Sequence, residues 1–151
     1  MKEQQYQMLV SQIASLIEGE TDEIAAMSNV AAAIHQEMHF WWTGFYRVVG
    51  EELLLGPFQG PVACMHIPFG KGVCGTAWQR RETIVVPDVE QFPGHIACSS
   101  LSRSEIVVPI YNKESEVVGV LDIDSTELGT FDDIDQKYLE QAMRLVENAI
   151  Y

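Results

Sequence analysis

Residues 105–124 have the sequence EIVVPIYNKESEVVGVLDID. Two apolar runs, 105–111 and 116–124, flank a polar turn at 112–115. Parallel strands need a crossover of a dozen or more residues, and this turn is far too short for one. The stretch therefore predicts an antiparallel hairpin, and with it an antiparallel sheet rather than a doubly wound parallel one.

Further strand-like segments precede this hairpin. A turn at Gly50-Glu51 joins two of them into a second predicted hairpin. The glycine-rich stretch at 68–72 predicts a tight turn that leads into a short helix over 73–80. The strands predicted upstream of the hairpin lie at 44–49, 52–56, 62–67 and 83–86. Residues 88–104 are irregular, and a loop of that length within a compact domain is usually functional.

Two helices are predicted before the first strand. Apolar residues from Tyr6 to Ile17 recur at i, i+3, i+4 and i+7, and Gly19 ends this helix. Thr21 is the predicted N-cap of the second helix, because acidic residues follow it in the first turn. The residues predicted to face inward on the second helix are Ile24, Met27, Ala31 and Ile34.

A C-terminal helix completes the pattern, with Thr130 as its predicted N-cap. Its predicted apolar stripe is Ile134, Tyr138, Leu139, Ala142, Leu145 and Val146. The order of helices, antiparallel strands and a final helix predicts an α+β fold, with the N- and C-terminal helices on one sheet face. The sequence shows no repeat or linker, so we expect a single domain over residues 1–151.

Composition excludes several classes of function. The chain has 151 residues with 22 acidic and 9 Lys and Arg residues, for a net charge of −13. Such a charge repels phosphate backbones and argues against nucleic-acid binding. No apolar run approaches the ~20 residues that cross a bilayer, and the first residues lack the pattern of a secretory signal. We therefore expect a cytoplasmic protein without a membrane partner.

The three cysteines are Cys64, Cys74 and Cys98. An odd count argues against a secreted disulfide scaffold. Clustered cysteines in a reducing cytosol favour redox or metal chemistry, although buried free cysteines that pack as small hydrophobes explain the count as well. A zinc site would draw on Cys64-x-His66 and His95-x-x-Cys98, but neither has the usual ligand spacing, so we predict no metal site.

The glycine-rich turn is not a nucleotide-binding loop. Gly70-Lys71-Gly72 lacks the glycine five residues before the GK pair and the Ser or Thr after it that a P-loop requires. We expect a tight turn before a helix, whose backbone N–H groups can hold a carboxylate.

Acidic residues meet at one end of the predicted hairpin. Strand alternation places Asp122 and Asp124 on one face, and Glu105 opens the neighbouring strand at the same end. Three converging carboxylates repel one another, so one should keep its proton at unusually high pH and can act as a general acid. Ordinary solvated acids at a strand end are the alternative.

Aromatic residues are grouped at the first strand. Trp42 and Tyr46 lie four residues apart and share a face of a regular strand. They are suited to forming the wall of a small-molecule pocket, and packing within the core is the alternative interpretation.

Seven motifs resemble the free methionine-(R)-sulfoxide reductases, which are stand-alone GAF-domain enzymes. The cysteine spacing C-x₉-C-x₂₃-C matches the three-cysteine pattern of that family and is the specific signal. The motifs are Trp42-Thr43-Gly44-Phe45-Tyr46, Gly56-Pro57-Phe58-Gln59-Gly60, Gly70-Lys71-Gly72-Val73-Cys74-Gly75, Pro87-Asp88-Val89, Phe92-Pro93-Gly94-His95-Ile96-Ala97-Cys98, Ser104-Glu105-Ile106-Val107-Val108-Pro109 and Gly119-Val120-Leu121-Asp122-Ile123-Asp124-Ser125.

The resemblance implies a GAF-like six-stranded antiparallel sheet and the reduction of free L-methionine-(R)-sulfoxide to methionine. It implies that Cys98 is the nucleophile, that Cys64 is the resolving cysteine and that Cys74 is a candidate second one. The residues matching the substrate pocket are Trp42, Tyr46, Glu105, Asp122 and Asp124. The implied cycle runs through a sulfenic acid and an intramolecular disulfide, with no bound cofactor and with NADPH-linked thioredoxin as external reductant.

Two other classes of function stay open. One is a GAF module that binds a small effector such as a cyclic nucleotide, with incidental cysteines. The other is a thiol redox sensor that forms a disulfide and binds a partner protein. A homodimer through the terminal helices is a further expectation.

Overall fold

The computed structural model describes residues 1–96 and 98–151, so Ala97 of the predicted irregular loop lies outside the described residues. Its strands are β1 (Trp42–Val49), β2 (Glu52–Gln59), β3 (His66–Pro68), β4 (Ile84–Val86), β5 (Ser104–Tyr111) and β6 (Val117–Ser125). They form one six-stranded sheet in the order β3-β2-β1-β6-β5-β4, and every pairing is antiparallel. Both predicted hairpins, β1–β2 and β5–β6, are confirmed.

Helices cover both faces of this sheet. They are α1 (Lys2–Leu16), α2 (Glu23–Met38), α3 (Gly72–Arg80) and α4 (Asp133–Ile150). Buried residues of α1, α2 and α4 share one core with Phe45, Leu121 and Ile123 of the sheet, which confirms the predicted packing of the terminal helices on one face. The opposite face packs against α3 in a second core. In the described part of the chain, no helix is long and apolar enough to span a membrane.

The predicted start of the second helix was wrong by one residue. Asp22, not Thr21, is the N-cap, and its carboxylate accepts the N–H of Ala25 at 2.9 Å. Both residue types suit an N-cap, so propensity alone does not select between neighbours. Ile24 was predicted to face inward but is 43% exposed, because the helix buries the face that carries Met27 and Ile34.

The predicted cap of the last helix was also wrong. Asp132 caps α4 in a reciprocal arrangement with Asp135, and the two carboxylates accept three backbone N–H groups, those of Asp132, Ile134 and Asp135. Thr130 lies before the helix and its hydroxyl donates to Ser125 at 2.6 Å. Asp135 is buried and binds Lys2 of α1 at 2.6 Å, so the same carboxylate joins the two terminal helices.

The third strand is shorter than predicted. Only His66–Pro68 pairs with β2, whereas 62–67 was expected to be a strand. Gly60 has a φ of +131°, and Pro61 has no N–H to donate to a ladder. Residues 60–65 therefore leave the sheet after β2 and pass over its α3-facing side as an irregular segment.

Candidate active site

Three carboxylates gather on the sheet face that α3 covers. In the register of the sheet, Asp124 on β6 lies between Glu105 on β5 and Trp42 on β1. Asp122, two residues earlier on the same face, lies opposite Gly44. All three acids line one cavity beneath α3 and the irregular loops. The structure thus brings together the acids that strand alternation placed on one face.

Burial and mutual repulsion favour the protonated forms of these acids. Burial, with a smaller effect from Asp124, raises the pKa of Glu105 to about 8. Burial and the neighbouring carboxylates also raise the pKa values of Asp122 and Asp124 well above the usual range of an aspartate. The cluster therefore holds protons near neutral pH and can donate one to a bound molecule.

The two aspartates differ in their hydrogen bonds. Ser102 donates to Oδ1 of Asp124 at 3.1 Å. Oδ1 of Asp122 is buried and has no hydrogen-bond partner among the described residues. A buried polar atom without a partner is costly, so Asp122 leaves one acceptor available for a ligand.

Cys74 lies in α3 against the acids. It is buried and free, and its Sγ lies 4.0 Å from Oε2 of Glu105. Burial, together with the nearby acids, raises the pKa of its thiol, which disfavours the reactive thiolate. Ligand atoms of Cys74, Glu105 and Asp122 lie within 4.8 Å of one another, so this trio is where the described residues could hold a metal ion.

Cys64 and Cys98 form a disulfide with a Cα–Cα distance of 5.4 Å. Cys98 is exposed and lines the cavity beside the acids, whereas Cys64 is half-buried. The bond joins the irregular segment 60–65 to the loop that precedes β5. It also removes both sulfurs from the zinc site considered above. The resemblance implies that Cys98 is the nucleophile and Cys64 the resolving cysteine, and the structure joins these two residues in a disulfide.

The aromatic residues do more than line the cavity. Trp42 stacks on Tyr46 and Phe58, with ring centroids 6.1 and 5.3 Å away. Nε1 of Trp42 donates to the carbonyl of Pro61 at 2.9 Å, and the Tyr46 hydroxyl donates to the carbonyl of Cys64 at 2.9 Å. Both side chains thus hold the segment that carries Cys64, a role that the sequence did not reveal.

Two glycines make room for the indole of Trp42. A Cβ at Gly44 would lie 2.5 Å from the Trp42 ring and from Cβ of Phe58. A Cβ at Gly60 would lie 2.7 Å from Cδ1 of Trp42 and 2.9 Å from the carbonyl oxygen of Trp41. The position of the aromatic wall therefore depends on the absence of side chains at both places.

His95, which the sequence suggested only as a zinc ligand, lines the cavity. Its Nε2 lies 3.7 Å from Oε1 of Glu105, and burial lowers the pKa of the ring. The lowered pKa of His95 and the raised pKa of Glu105 both favour the uncharged forms of these two facing groups. Its place three residues before Cys98, in the loop predicted to be functional, was the available signal.

The start of α3 contributes backbone to the same cavity. Gly72 and Val73, the first two residues of the helix, line it. The predicted glycine-rich turn is present, with a hydrogen bond from the N–H of Gly70 to the carbonyl of Gly75. A helix N-terminus carries partial positive charge, which offsets the acidic wall at this end of the cavity.

Comparison with known proteins places the chain among proteins of similar length. The sequence model of the GAF domain matches residues 20–150. GAF domain-containing protein A of Dictyostelium discoideum is 57% identical over 97% of this chain and 93% of its own length. The free methionine-R-sulfoxide reductase of Saccharomyces cerevisiae is 40% identical, over 98% of this chain and 87% of its own length. The enzyme of the same name from Escherichia coli is 44% identical, over 90% of this chain and 82% of its own length.

Solved structures also match this chain along almost its whole length. The free methionine-R-sulfoxide reductase of Neisseria meningitidis, in complex with its substrate, superposes with a TM-score of 0.96 at 47% identity, covering 99% of this chain and 90% of that one. The reduced form of fRMsr from Staphylococcus aureus gives a TM-score of 0.93 at 50% identity, covering 97% and 95%. The fold is thus shared along almost the whole chain.

Proposed function

Because this chain belongs to the GAF-domain family of free methionine-R-sulfoxide reductases, we propose that it reduces free L-methionine-(R)-sulfoxide to methionine. One observation carries the proposal. The Cys64–Cys98 disulfide lies at a cavity lined by three buried or partly buried acids that retain protons. A thiol pair and a proton donor around one small cavity are the groups that sulfoxide reduction needs.

The first step joins Cys98 to the substrate sulfur. The sulfoxide oxygen is a poor leaving group until it is protonated, so the Cys98 thiolate attacks while an acid of the cluster donates a proton to oxygen. The hydroxyl then transfers from the substrate sulfur to Cys98 and the bond between the two sulfurs breaks. Methionine leaves with that electron pair, and Cys98 becomes a sulfenic acid. Cys64 then condenses with the sulfenic acid, releasing water and forming the disulfide. The short distance between the two cysteines supports this second step.

The acid cluster can both donate a proton and bind an ammonium group. An ammonium close to one carboxylate favours the ionised form of that carboxylate, while its neighbours keep their protons. The unpaired Oδ1 of Asp122 is available to accept such a group. Glu105, with a pKa of about 8, is the acid whose proton is available up to the pH of a bacterial or eukaryotic cytosol.

Selection of the free amino acid follows from the two ends of the cavity. The carboxylate of the substrate suits the backbone N–H groups at the start of α3 and in the irregular loop around His95. The methylthio end suits the part of the Trp42 indole that lines the cavity. A methionine within a protein has neither charged terminus, so the same contacts exclude it.

Recycling needs an external dithiol. We propose thioredoxin, itself reduced with NADPH, as the source of electrons, and no bound cofactor. Such an exchange requires a reducing compartment, so the proposal includes a cytoplasmic location. Residues 1–151 act as one catalytic domain in this scheme, and the homodimer through the terminal helices stays a prediction.

The decisive experiment is a thioredoxin-coupled assay that follows NADPH consumption with each separated epimer of free methionine sulfoxide. We expect turnover of the R epimer alone, and methionine as the product. Absence of turnover, together with calorimetric binding of a cyclic nucleotide, would favour an effector-binding module. Peroxide-dependent disulfide formation without sulfoxide reduction would favour a redox sensor.

A further inference from the structure

Three large apolar side chains close in sequence to the disulfide cysteines are exposed. Val62, Met65 and Leu101 are 87%, 66% and 62% exposed. Met65 directly follows Cys64, Leu101 is three residues from Cys98, and Val62 lines the same cavity as Cys98. Because the disulfide joins the two segments, these three side chains belong to one surface, which we call the apolar rim.

The two segments that carry the apolar rim contain no charged residue. Residues 53–65 and 91–102 contain no Asp, Glu, Lys or Arg, in a chain whose net charge is −13. Single exposed apolar residues are ordinary, but a grouped, uncharged patch on a strongly acidic protein is a mark of an interaction surface. The patch coincides with the exposed end of a disulfide that must be opened in every proposed cycle.

We propose that the apolar rim is the docking surface for a dithiol protein of the thioredoxin class. The inference rests on the proposed function, because only a catalytic disulfide requires repeated reduction. The partner we expect presents an apolar, uncharged surface around its own thiols, since that surface buries Met65 and Leu101 without leaving a charge unpaired.

The exchange conserves atoms and electrons. A thiolate of the partner attacks the sulfur of the exposed residue Cys98 and forms an intermolecular disulfide. The Cys64–Cys98 bond breaks, so that Cys64 leaves as a thiolate and takes up a proton. The second thiol of the partner then attacks its own half of the mixed disulfide and releases Cys98. The enzyme gains two electrons and the partner ends as a disulfide.

A comparison of two reductants distinguishes docking of the partner protein from reduction of the disulfide itself. Dithiothreitol is small and needs no protein surface, whereas thioredoxin must contact the apolar rim. The test compares the double variant Met65→Glu/Leu101→Glu with the control Met8→Glu, which places the same charge on an exposed methionine of α1. We expect the KM for thioredoxin to rise about tenfold in the double variant and to change less than about twofold in the control.

The dithiothreitol-supported turnover of both variants should match that of the unsubstituted protein. An unchanged thioredoxin KM in the double variant would overturn the docking surface while leaving the reductase intact. No turnover of the unsubstituted protein with dithiothreitol would instead refute the proposed function. The neutral pair Met65→Ser/Leu101→Ser should raise the thioredoxin KM as well, and a KM equal to that of the unsubstituted protein would refute the apolar contact.

Discussion

Asp124 on β6 lies directly opposite Glu105 on β5 in the central hairpin, on the face that α3 buries. A cross-strand pair of carboxylates is repulsive unless a proton is shared or retained. Burial raises the pKa of both groups, which favours the protonated forms that relieve this repulsion. The fold therefore places carboxyl groups with raised pKa values in the same cavity as the disulfide and the aromatic wall.

Loss of the Glu105 proton should limit the reaction at high pH. Glu105 has a pKa of about 8, so the fraction that can donate a proton falls as the pH rises through that value. We expect the single-turnover rate of methionine formation to decrease above about pH 8. In Glu105→Gln this decrease should disappear and the rate at pH 7 should fall at least about tenfold. A decrease at the same pH in the variant would assign the proton to Asp122 or Asp124 instead.

The Asp124→Asn substitution tests the neighbouring acid. It removes the carboxyl group that faces Glu105 and accepts from Ser102, so formation of the sulfenic acid should slow. The measurement is methionine release in a single turnover, monitored by chromatography of quenched samples. A rate equal to that of the unsubstituted protein would remove Asp124 as a proton source.

Burial of Glu105 should also make stability depend on pH. Its folded-state pKa of about 8 exceeds the ordinary value of 4.5, so the contribution to stability is complete below about pH 4.5 and is lost as the pH rises through 8. Glu105→Gln removes this loss. Between pH 4.5 and pH 8 the unsubstituted protein should lose on the order of 4 kcal/mol more unfolding free energy than the variant does. Urea unfolding at the two pH values measures this difference in unfolding free energy. Glu114→Gln, in an exposed turn, is the control.

Turnover assays and thiol titration of variants that each lack one cysteine should distinguish the roles of the three cysteines. Cys98→Ser should abolish turnover, whereas Cys64→Ser should release about one equivalent of methionine per protein and then stop with thioredoxin. The buried thiol of Cys74 has a raised pKa, so Cys74→Ser should still form the Cys64–Cys98 disulfide. Titration of denatured protein after one equivalent of substrate should find one thiol in the unsubstituted protein and none in Cys74→Ser. Multiple turnovers by Cys98→Ser would disprove the nucleophile assignment.

Those parts of the fold that follow from local periodicity could be predicted from the sequence. The two short turns fix antiparallel pairing, and the period of two places Asp122 and Asp124 on one face. Glu105 joins them because the turn between β5 and β6 sets the register. Convergence of the acids was therefore accessible without the structure.

What the sequence did not reveal depends on loops and on contacts between distant segments. The hydrogen bonds from Trp42 and Tyr46 to residues 61–64 join parts of the chain that no local pattern connects. His95 reaches Glu105 only because the loop folds over the end of the sheet. The wrong N-cap at Thr21 has another cause, since adjacent polar residues compete and the register of the helix decides.

The Tyr46 hydroxyl gives the last prediction. Tyr46→Phe keeps the stacking on Trp42 but removes the bond that fixes the Cys64 carbonyl, so Cys64 should spend less time in reach of the sulfenic acid. Tyr111→Phe is the matched control, because the Tyr111 hydroxyl also donates to a backbone carbonyl, that of Arg81, at 2.8 Å. Each change removes one hydrogen bond, which contributes about 1 kcal/mol to stability. Only Tyr46→Phe should slow disulfide formation after the first turnover, measured by the loss of titratable thiols with time. Equal rates in the two variants would show that the hydroxyl contributes to folding alone.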